Sequence, residues 1–243
     1  MYKRQSPPFN NKKVRDAVKL AIDRAGIIKA VWNGAGSIAS QPIPPDAVGF
    51  DPKYPAPRFN PDAARKLIAQ AKAEGAPIGQ PSIIYTRLDI LENGDLLAQA
   101  IAQQLNNIGL NVKVQIMEAA PWIEILRSRP TNRPGFLLEP HGNILGDSSW
   151  TANSKYHSSQ PRSQVPDELR PMIDLRIQRA GAARGEERVK QYRDLFAYLD
   201  QEVIQDVFIA HTRSVMVVGP NVQYKPNLQS DDIIRVAQVA KKR

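Results

Sequence analysis

The stretch SIIYTRLDILENGDLLAQAIAQQLNNIGLNVKVQIME, residues 82–118, decides the fold class. Ser82 to Arg87 reads as a strand. From Glu92 to Ile108, Leu97, Ile101, Leu105 and Ile108 recur at three- and four-residue steps, the apolar face of a helix closed by Gly109. Asn111 to Glu118 then alternates Val112, Val114 and Ile116 with Lys113, Gln115 and Met117, the two-residue period of a strand. Strand, helix and strand in so short a span predict a βαβ unit, with parallel strands joined by a right-handed crossover.

Towards the C-terminus the pattern continues with a short helix, Pro121 to Arg129, and a strand, Gly135 to Glu139. The residues from His141 to Pro166 are polar and rich in Gly, Ser and Asn, and read as irregular. Two helices follow. Pro166 to Ala180 turns Leu169, Ile173 and Ile177 inward; Gly185 to Ile204 buries Val189, Tyr192, Phe196, Leu199 and Val203. Asp206–His211 and Arg213–Gly219 read as two strands or one bent strand. The last residues, with Tyr224, Pro226, Ile233, Ile234, Val236 and Val239, suggest extended chain and a basic tail, Lys241 to Arg243.

Towards the N-terminus, Val14, Ala17, Val18, Ala21, Ile22 and Ala25 form the face of a helix starting near Asn11 and interrupted at Gly26. Ile27, Ile28, Val31 and Trp32 add a further turn or two, ending at Gly34. Residues 34–61 carry so many prolines and glycines that regular structure is not expected there; a loop this long is functional or wraps a neighbouring surface. Asn60-Pro61-Asp62 is a helix start: a capping side chain, a proline at the first position and an acid on the positive dipole end. Ala64, Leu67, Ile68 and Ala71 follow as its buried stripe.

Composition narrows the function. The chain has 243 residues, 42% of them hydrophobic and 23% charged, enough for a substantial core. Without cysteine there are no disulfides, thiolate zinc sites, iron–sulfur clusters or cysteine nucleophiles. No apolar run approaches the roughly 20 residues of a membrane-spanning helix. Met1 to Gln5 has no apolar core or cleavage site of a signal peptide, which fits a cytoplasmic protein or a chain whose natural beginning is missing. The net charge of +9 is concentrated early, residues 1–40 holding eight basic side chains against Asp16 and Asp23. With 7% aromatic residues at core-like spacing, this reads as a solvated basic face rather than a nucleic-acid surface.

His141, His157 and His211 are the only imidazoles, and none stands at helical metal-ligand spacing from another. There is no nucleophile elbow, no phosphate loop and no dinucleotide fingerprint. These absences weigh against an enzyme and imply no cofactor and no metal. The informative segment runs from Glu139 to Trp150. It follows a strand, and loops at the carboxyl ends of parallel strands are where α/β folds place ligands. His141, Gly142, Asn143, Asp147 and Trp150 are its candidates: Asp147 for an ammonium, Asn143 for an amide, Trp150 as cover for an apolar side chain. Arg87, at the end of the Ser82 strand, has the rigid fork that suits a carboxylate.

The chain resembles the family-5 extracellular solute-binding proteins, the peptide and nickel receptors of ABC importers. The resemblance is carried by Pro8-Phe9-Asn10-Asn11-Lys12-Lys13-Val14-Arg15-Asp16-Ala17, by Ala21-Ile22-Asp23-Arg24, and by Gly34 with Pro42-Ile43-Pro44-Pro45. Further matches are Phe59-Asn60-Pro61-Asp62-Ala63-Ala64 with Leu67, Gln104-Leu105-Asn106-Asn107-Ile108-Gly109-Leu110, and Asp206-Val207-Phe208-Ile209. The match starts near Pro7; Met1 to Gln5 fit nothing in the family.

The resemblance implies an α/β, periplasmic-binding-protein-like (type II, cluster C) fold, here an incomplete two-lobed receptor. Residues 6–205 correspond to the second large lobe, and 206–243 to a returning segment that completes the first. It implies capture of a peptide or similar small solute by lobe closure. It also implies partners, the permease and ATPase of an importer touched only at the membrane periphery, and a periplasmic or extracytoplasmic location. In the family a basic residue near Arg87 often takes the peptide carboxylate, and an Asp in a G-D-P-D-N-F-like loop takes the ammonium. That loop is Gly146-Asp147-Ser148-Ser149-Trp150 here, with Asp147 retained and the proline and later aspartate replaced. The alternatives open at this point are an α/β hydrolytic enzyme and a basic nucleic-acid-binding domain.

Overall fold

A computed structural model of the chain describes residues 7–89, 91–127, 135–212, 217–224 and 239–241. Asn11 opens α1 (Lys12–Ala21), its side chain accepting a hydrogen bond from the Lys13 N–H. Val14, Ala17, Val18 and Ala21 form the buried face, as expected. The helix then stops earlier than Gly26. Ile22 is extended, and Asp23 caps a new helix, α2 (Arg24–Trp32), by accepting from the Gly26 N–H at 2.9 Å. Gly26 therefore belongs to the start of α2 and is no breaker. A Cβ there would lie 2.4 Å from Asp23 Oδ2, so the missing side chain lets the cap close.

The two arginines of the N-terminal motifs are buried and bind carbonyls. Arg15 donates to Phe9 O at 2.8 Å and Asn10 O at 3.0 Å. Arg24 donates from Nε to Phe208 O at 2.6 Å and from Nη1 to Lys19 O and Ile22 O at 3.1 and 3.2 Å. It thereby seals the end of α1 and ties the N-terminal helices to chain more than 180 residues away.

Residues 34–61 are not wholly irregular. Gly36–Ile38 (β1) pairs antiparallel with Ala210–Thr212, because the edge amides of each need acceptors. The rest wraps a neighbouring surface, burying Ile43 and Ala47. Gln41 closes the wrap by exchanging two hydrogen bonds with the Asp51 backbone, at 2.9 and 3.0 Å. Next comes α3 (Pro61–Ala73), capped by Asn60 as the sequence predicts and packed on α1 through Ala64, Ile68 and Ala71.

The predicted βαβ unit is present as β2 (Pro81–Thr86), α4 (Gly94–Asn106) and β3 (Asn111–Ile116), the strands parallel with Ile84 opposite Val114. After α5 (Ala119–Arg127), β4 (Gly135–Leu137) pairs parallel on the other side of β2, giving the order β3-β2-β4. Alternation then sorts the side chains. Ile84, Val112 and Phe136 enter the main core with α1, α3 and α4, where Phe136 meets Phe9 at 4.5 Å between ring centroids. Leu137 on the opposite face packs with Trp122 and Ile125 of α5, joined by Tyr85.

The stretch from His141 to Pro166 departs from expectation. It contains a helical turn, α6 (Ser148–Thr151), which runs into a π-helical turn, Ala152–Tyr156. Side-chain acceptors at its start explain why polar residues form it (below). A 3₁₀ turn, Asp167–Leu169, precedes α7 (Arg170–Ala182). Then α8 (Gly185–Tyr198) ends in a second π turn, Leu199–Val203. Ile173 and Ile177 of α7 and Tyr192, Phe196, Leu199 and Val203 build the second core with Tyr156 and Val165.

Beyond Ile204 only Ala210–Thr212 (β5) of the expected Asp206–His211 strand is regular. Of the expected strand Arg213–Gly219, residues 213–216 lie outside the described residues and 217–219 are not in a strand. Val222–Gln223 (β6) pairs antiparallel with Ala240–Lys241 (β7). Pro226, Ile233, Ile234, Val236 and Met1 to Gln5 lie outside the described residues. Among the described residues no helix is long and apolar enough to cross a membrane.

Replacing Arg24 with methionine removes a buried cation and three carbonyl partners, and we expect a loss of about 3 kcal/mol in stability. Urea unfolding of the variant checks this; an unmoved midpoint would show that the Arg24 tie contributes nothing.

Candidate functional site

The parallel pairing of β4 with β2 brings two candidate regions to one end of the sheet. Leu138 N–H donates to Tyr85 O at 3.0 Å just before the chain leaves at Glu139, while Arg87 follows directly after β2. Arg87 Nε sits 2.8 Å from the exposed carboxylate of Asp89, and its guanidinium lies over the Trp122 ring at 5.2 Å. The ring and the carboxylate hold the guanidinium at the end of its strand.

The loop from His141 to Trp150 is braced from within. The Asn143 side chain grips the backbone of one residue on both sides: it accepts from Asp147 N–H and donates to Asp147 O, each at 3.1 Å. Asn143 is buried, so its amide serves the loop. Asp147 caps α6, accepting from Ser149 N–H at 2.8 Å, and pairs with Arg188 of α8 at 2.7 Å. The remaining Arg188 donors reach Ala180 O and Gly181 O at 3.1 and 3.0 Å, closing the end of α7. Trp150, half-buried, donates from Nε1 to Gly142 O at 3.1 Å. Gly142 itself is exposed.

A second strip of chain supports the loop from the side. Val48 N–H donates to Gly146 O at 2.9 Å, and both the N–H and the hydroxyl of Ser148 donate to Val48 O, at 3.1 and 2.7 Å. Gly49, in the left-handed region at φ +99°, passes so close that a Cβ would lie 2.2 Å from Ser148 Oγ. The proline-rich wrap thus passes against the candidate site.

His141 points inward. Arg162, which has only donors, donates to Nδ1 at 3.0 Å, so the imidazole carries its proton on Nε2 and donates to Thr151 Oγ1 at 3.0 Å. Burial, followed by the positive charges of Lys155 and Arg162, pushes its pKa down to about 3. It is a neutral brace. Burial would raise the Asp147 carboxyl, but the hydrogen bonds from Ser149 and Arg188 and the Arg188 charge outweigh it and hold its pKa below the ordinary value. Among the described residues no group of His, Asp and Glu gathers in a way that could hold a metal ion.

Thr151, Glu139, Arg162, Lys155, Asp206 and Arg188 all act on this loop and were not among the sequence candidates. Their partners lie on other elements, so only the Glu139 position, two residues beyond β4, carried any local signal.

Residues 1–160 match the family of bacterial extracellular solute-binding proteins, family 5 Middle. The chain belongs to that family. A probable di/tripeptide-binding protein of Pseudomonas aeruginosa is 32% identical over 146 residues, 59% of this chain and 26% of its own length. Heme-binding protein A of Haemophilus influenzae is 37% identical over 67 residues, 28% of this chain and 12% of its own length. Among solved structures, a dipeptide-binding protein from Pseudoalteromonas sp. SM9913, in complex with Met-Leu, superposes with a TM-score of 0.79 at 23% identity, over 99% of this chain and 47% of that one. That likeness establishes the fold, that of the type II periplasmic binding proteins. The matched regions span about a quarter or less of these curated relatives, and the chain covers about half of the solved structure.

A carboxylate held below its ordinary pKa stabilises the fold above that value, and the contribution is lost as the pH falls through the depressed one. Asp147→Asn keeps a cap acceptor and removes the charge facing Arg188. We expect it to cost about 1 kcal/mol at neutral pH, with the gap to wild type closing in acid. Urea midpoints across the acid range check this, and a gap that persists below the carboxylate range would remove the ion pair as its cause.

Proposed function

We propose that this chain is the ligand-gripping part of an ABC importer's solute-binding protein, taking up a peptide or similar small solute in the periplasm or outside the cell. Capture is by lobe closure biased toward the ligand-bound form, without covalent chemistry. Residues 6–205 form the second lobe and 206–243 the returning segment, although Asp206 and β5 pack within the body formed by the earlier residues. A permease and an ATPase supply passage and energy.

One observation carries the reading: Arg87 and a self-braced loop bearing Asp147 and Trp150 leave neighbouring parallel strands at the same end, in a family-5 fold. In this reading Arg87 takes the ligand's carboxylate, exchanging it for Asp89; the partly exposed edge of Asp147 takes an ammonium; and Trp150 covers an apolar side chain. The names of relatives that bind di- and tripeptides, and the Met-Leu bound to the solved neighbour, support a peptide. Hydrolysis at this loop is disfavoured because its imidazole, His141, already carries its proton on the nitrogen that faces the Thr151 hydroxyl.

Because the chain covers about half of the dipeptide-binding neighbour, weak binding is expected of it alone. Titrating it with Met-Leu at millimolar concentration should shift the NMR signals of the Trp150 indole and of Arg87. N-acetylated Met-Leu should shift them less in wild type, and acetylation should make no further difference in Asp147→Asn. A spectrum unresponsive at 87 and 141–150, or release of free methionine and leucine, would overturn the proposal.

A further inference from the structure

Beneath the loop lies a buried ion cluster to which the proposed ligand contacts assign no role. Lys155 Nζ is 3.3 Å from Asp206 Oδ1 and 3.7 Å from Glu139 Oε2, and the three side chains are 7%, 6% and 4% exposed. Tyr156 Oη donates to Asp206 Oδ2 at 2.7 Å. Arg162 Nη2 joins Glu139 Oε1, at 2.5 Å, to His141 Nδ1, at 3.0 Å. Two acids and two cations balance, so no net charge is buried. The line of contacts continues through His141 to Thr151 Oγ1, which also receives Asn143 Nδ2 at 3.4 Å, and Asn143 grips Asp147.

The cluster therefore joins the loop to the segment that begins at Asp206. The chain is bent sharply to deliver that aspartate: Ile204, fully buried, sits in the left-handed region at φ 46°, a conformation that β-branched residues avoid. Lys155 and Tyr156 come from the π turn Ala152–Tyr156, and Ile204 directly follows the π turn Leu199–Val203. A buried ion pair adds little net stability against an apolar replacement, but it admits few geometries.

We propose that Lys155 is a positioning residue for ligand capture: by bridging Glu139 to Asp206 it holds the 139–150 loop in the shape that presents Asp147 and Trp150. This rests on the reading of that loop as the ligand site, but the ions themselves touch no ligand. The charged groups facing His141 are Lys155, Arg162 and Asp206, with Glu139 behind Arg162.

The test uses the 243-residue chain. Lys155→Met with Asp206→Asn removes one cation and one acid and leaves Tyr156 an acceptor. Lys155→Met with Glu139→Gln does the same from the other side, so whichever variant folds decides the matter. With three histidines and three tryptophans, the side-chain nitrogen signals of His141 and Trp150 are readily assigned by NMR. In the folded double variant we expect His141 to lose its single neutral tautomer and to titrate closer to an ordinary imidazole. The Trp150 indole signal should move, while His157 and His211 keep their wild-type signals. Wild-type-like His141 and Trp150 signals in a folded variant would overturn the proposal. Met-Leu separates this from the ligand reading: its dissociation constant should rise about tenfold in the variant, and an equal constant would also overturn positioning. If wild type ignores Met-Leu while His141 still changes in the variant, the loop's dependence on Lys155 stands and the peptide reading falls.

Discussion

A carboxylate cannot stay ionised in a dry interior unless a cation and hydrogen bonds replace its water. That constraint organises the end of the sheet. Glu139 leaves β4 into a buried place, and its charge is met by Lys155 and Arg162 from the turn and loop that follow. Asp206 arrives from the far end of the chain and shares Lys155. Burial alone would lower the Lys155 pKa and raise that of Asp206, yet the pairing reverses both directions, so the ions remain charged. Loop geometry, helical turn and C-terminal segment are therefore coupled through charge as well as through packing.

Buried arginines set the other boundary. Arg15 and Arg24 donate to backbone carbonyls that sit at helix ends and turns, where no amide of the same element can reach. This gives a physical reason for the V-R and I-D-R patterns on which the family resemblance partly rests. The cations hold chain segments together across the core, and they are unavailable to a ligand.

The candidate site follows a common logic of binding proteins: a loop whose own hydrogen bonds are satisfied internally loses little freedom when something binds to it. Asn143 and His141 are braces. Asp147 is both a brace and a partly exposed carboxylate. The two roles are compatible because capping and pairing keep it ionised, and an ionised carboxylate is what an ammonium requires.

Much of the architecture was legible in the residues alone, since periodicity and capping are local. The βαβ unit, the Asn60 cap and the buried stripes of α7 and α8, Val189 excepted as only half-buried, depend on neighbours within a turn or two. The Gly26 break was misplaced because Asp23, a better cap, stood three residues earlier, and a glycine inside a helix looks the same as one ending it. The helical turn after Asp147 was invisible because its polar residues show no apolar stripe; side-chain acceptors and the Val48 strip hold it. Likewise, the sequence named Arg87, His141, Gly142, Asn143, Asp147 and Trp150, but not what each one touches. Local chemistry thus marked the longer helices, the parallel strands and the motifs that carry the family resemblance. Only the tertiary structure decided that Lys155 meets Glu139 and Asp206, that Asp147 faces Arg188, and that His141 is neutral, because each of those facts depends on groups that the fold brings together from separate parts of the chain.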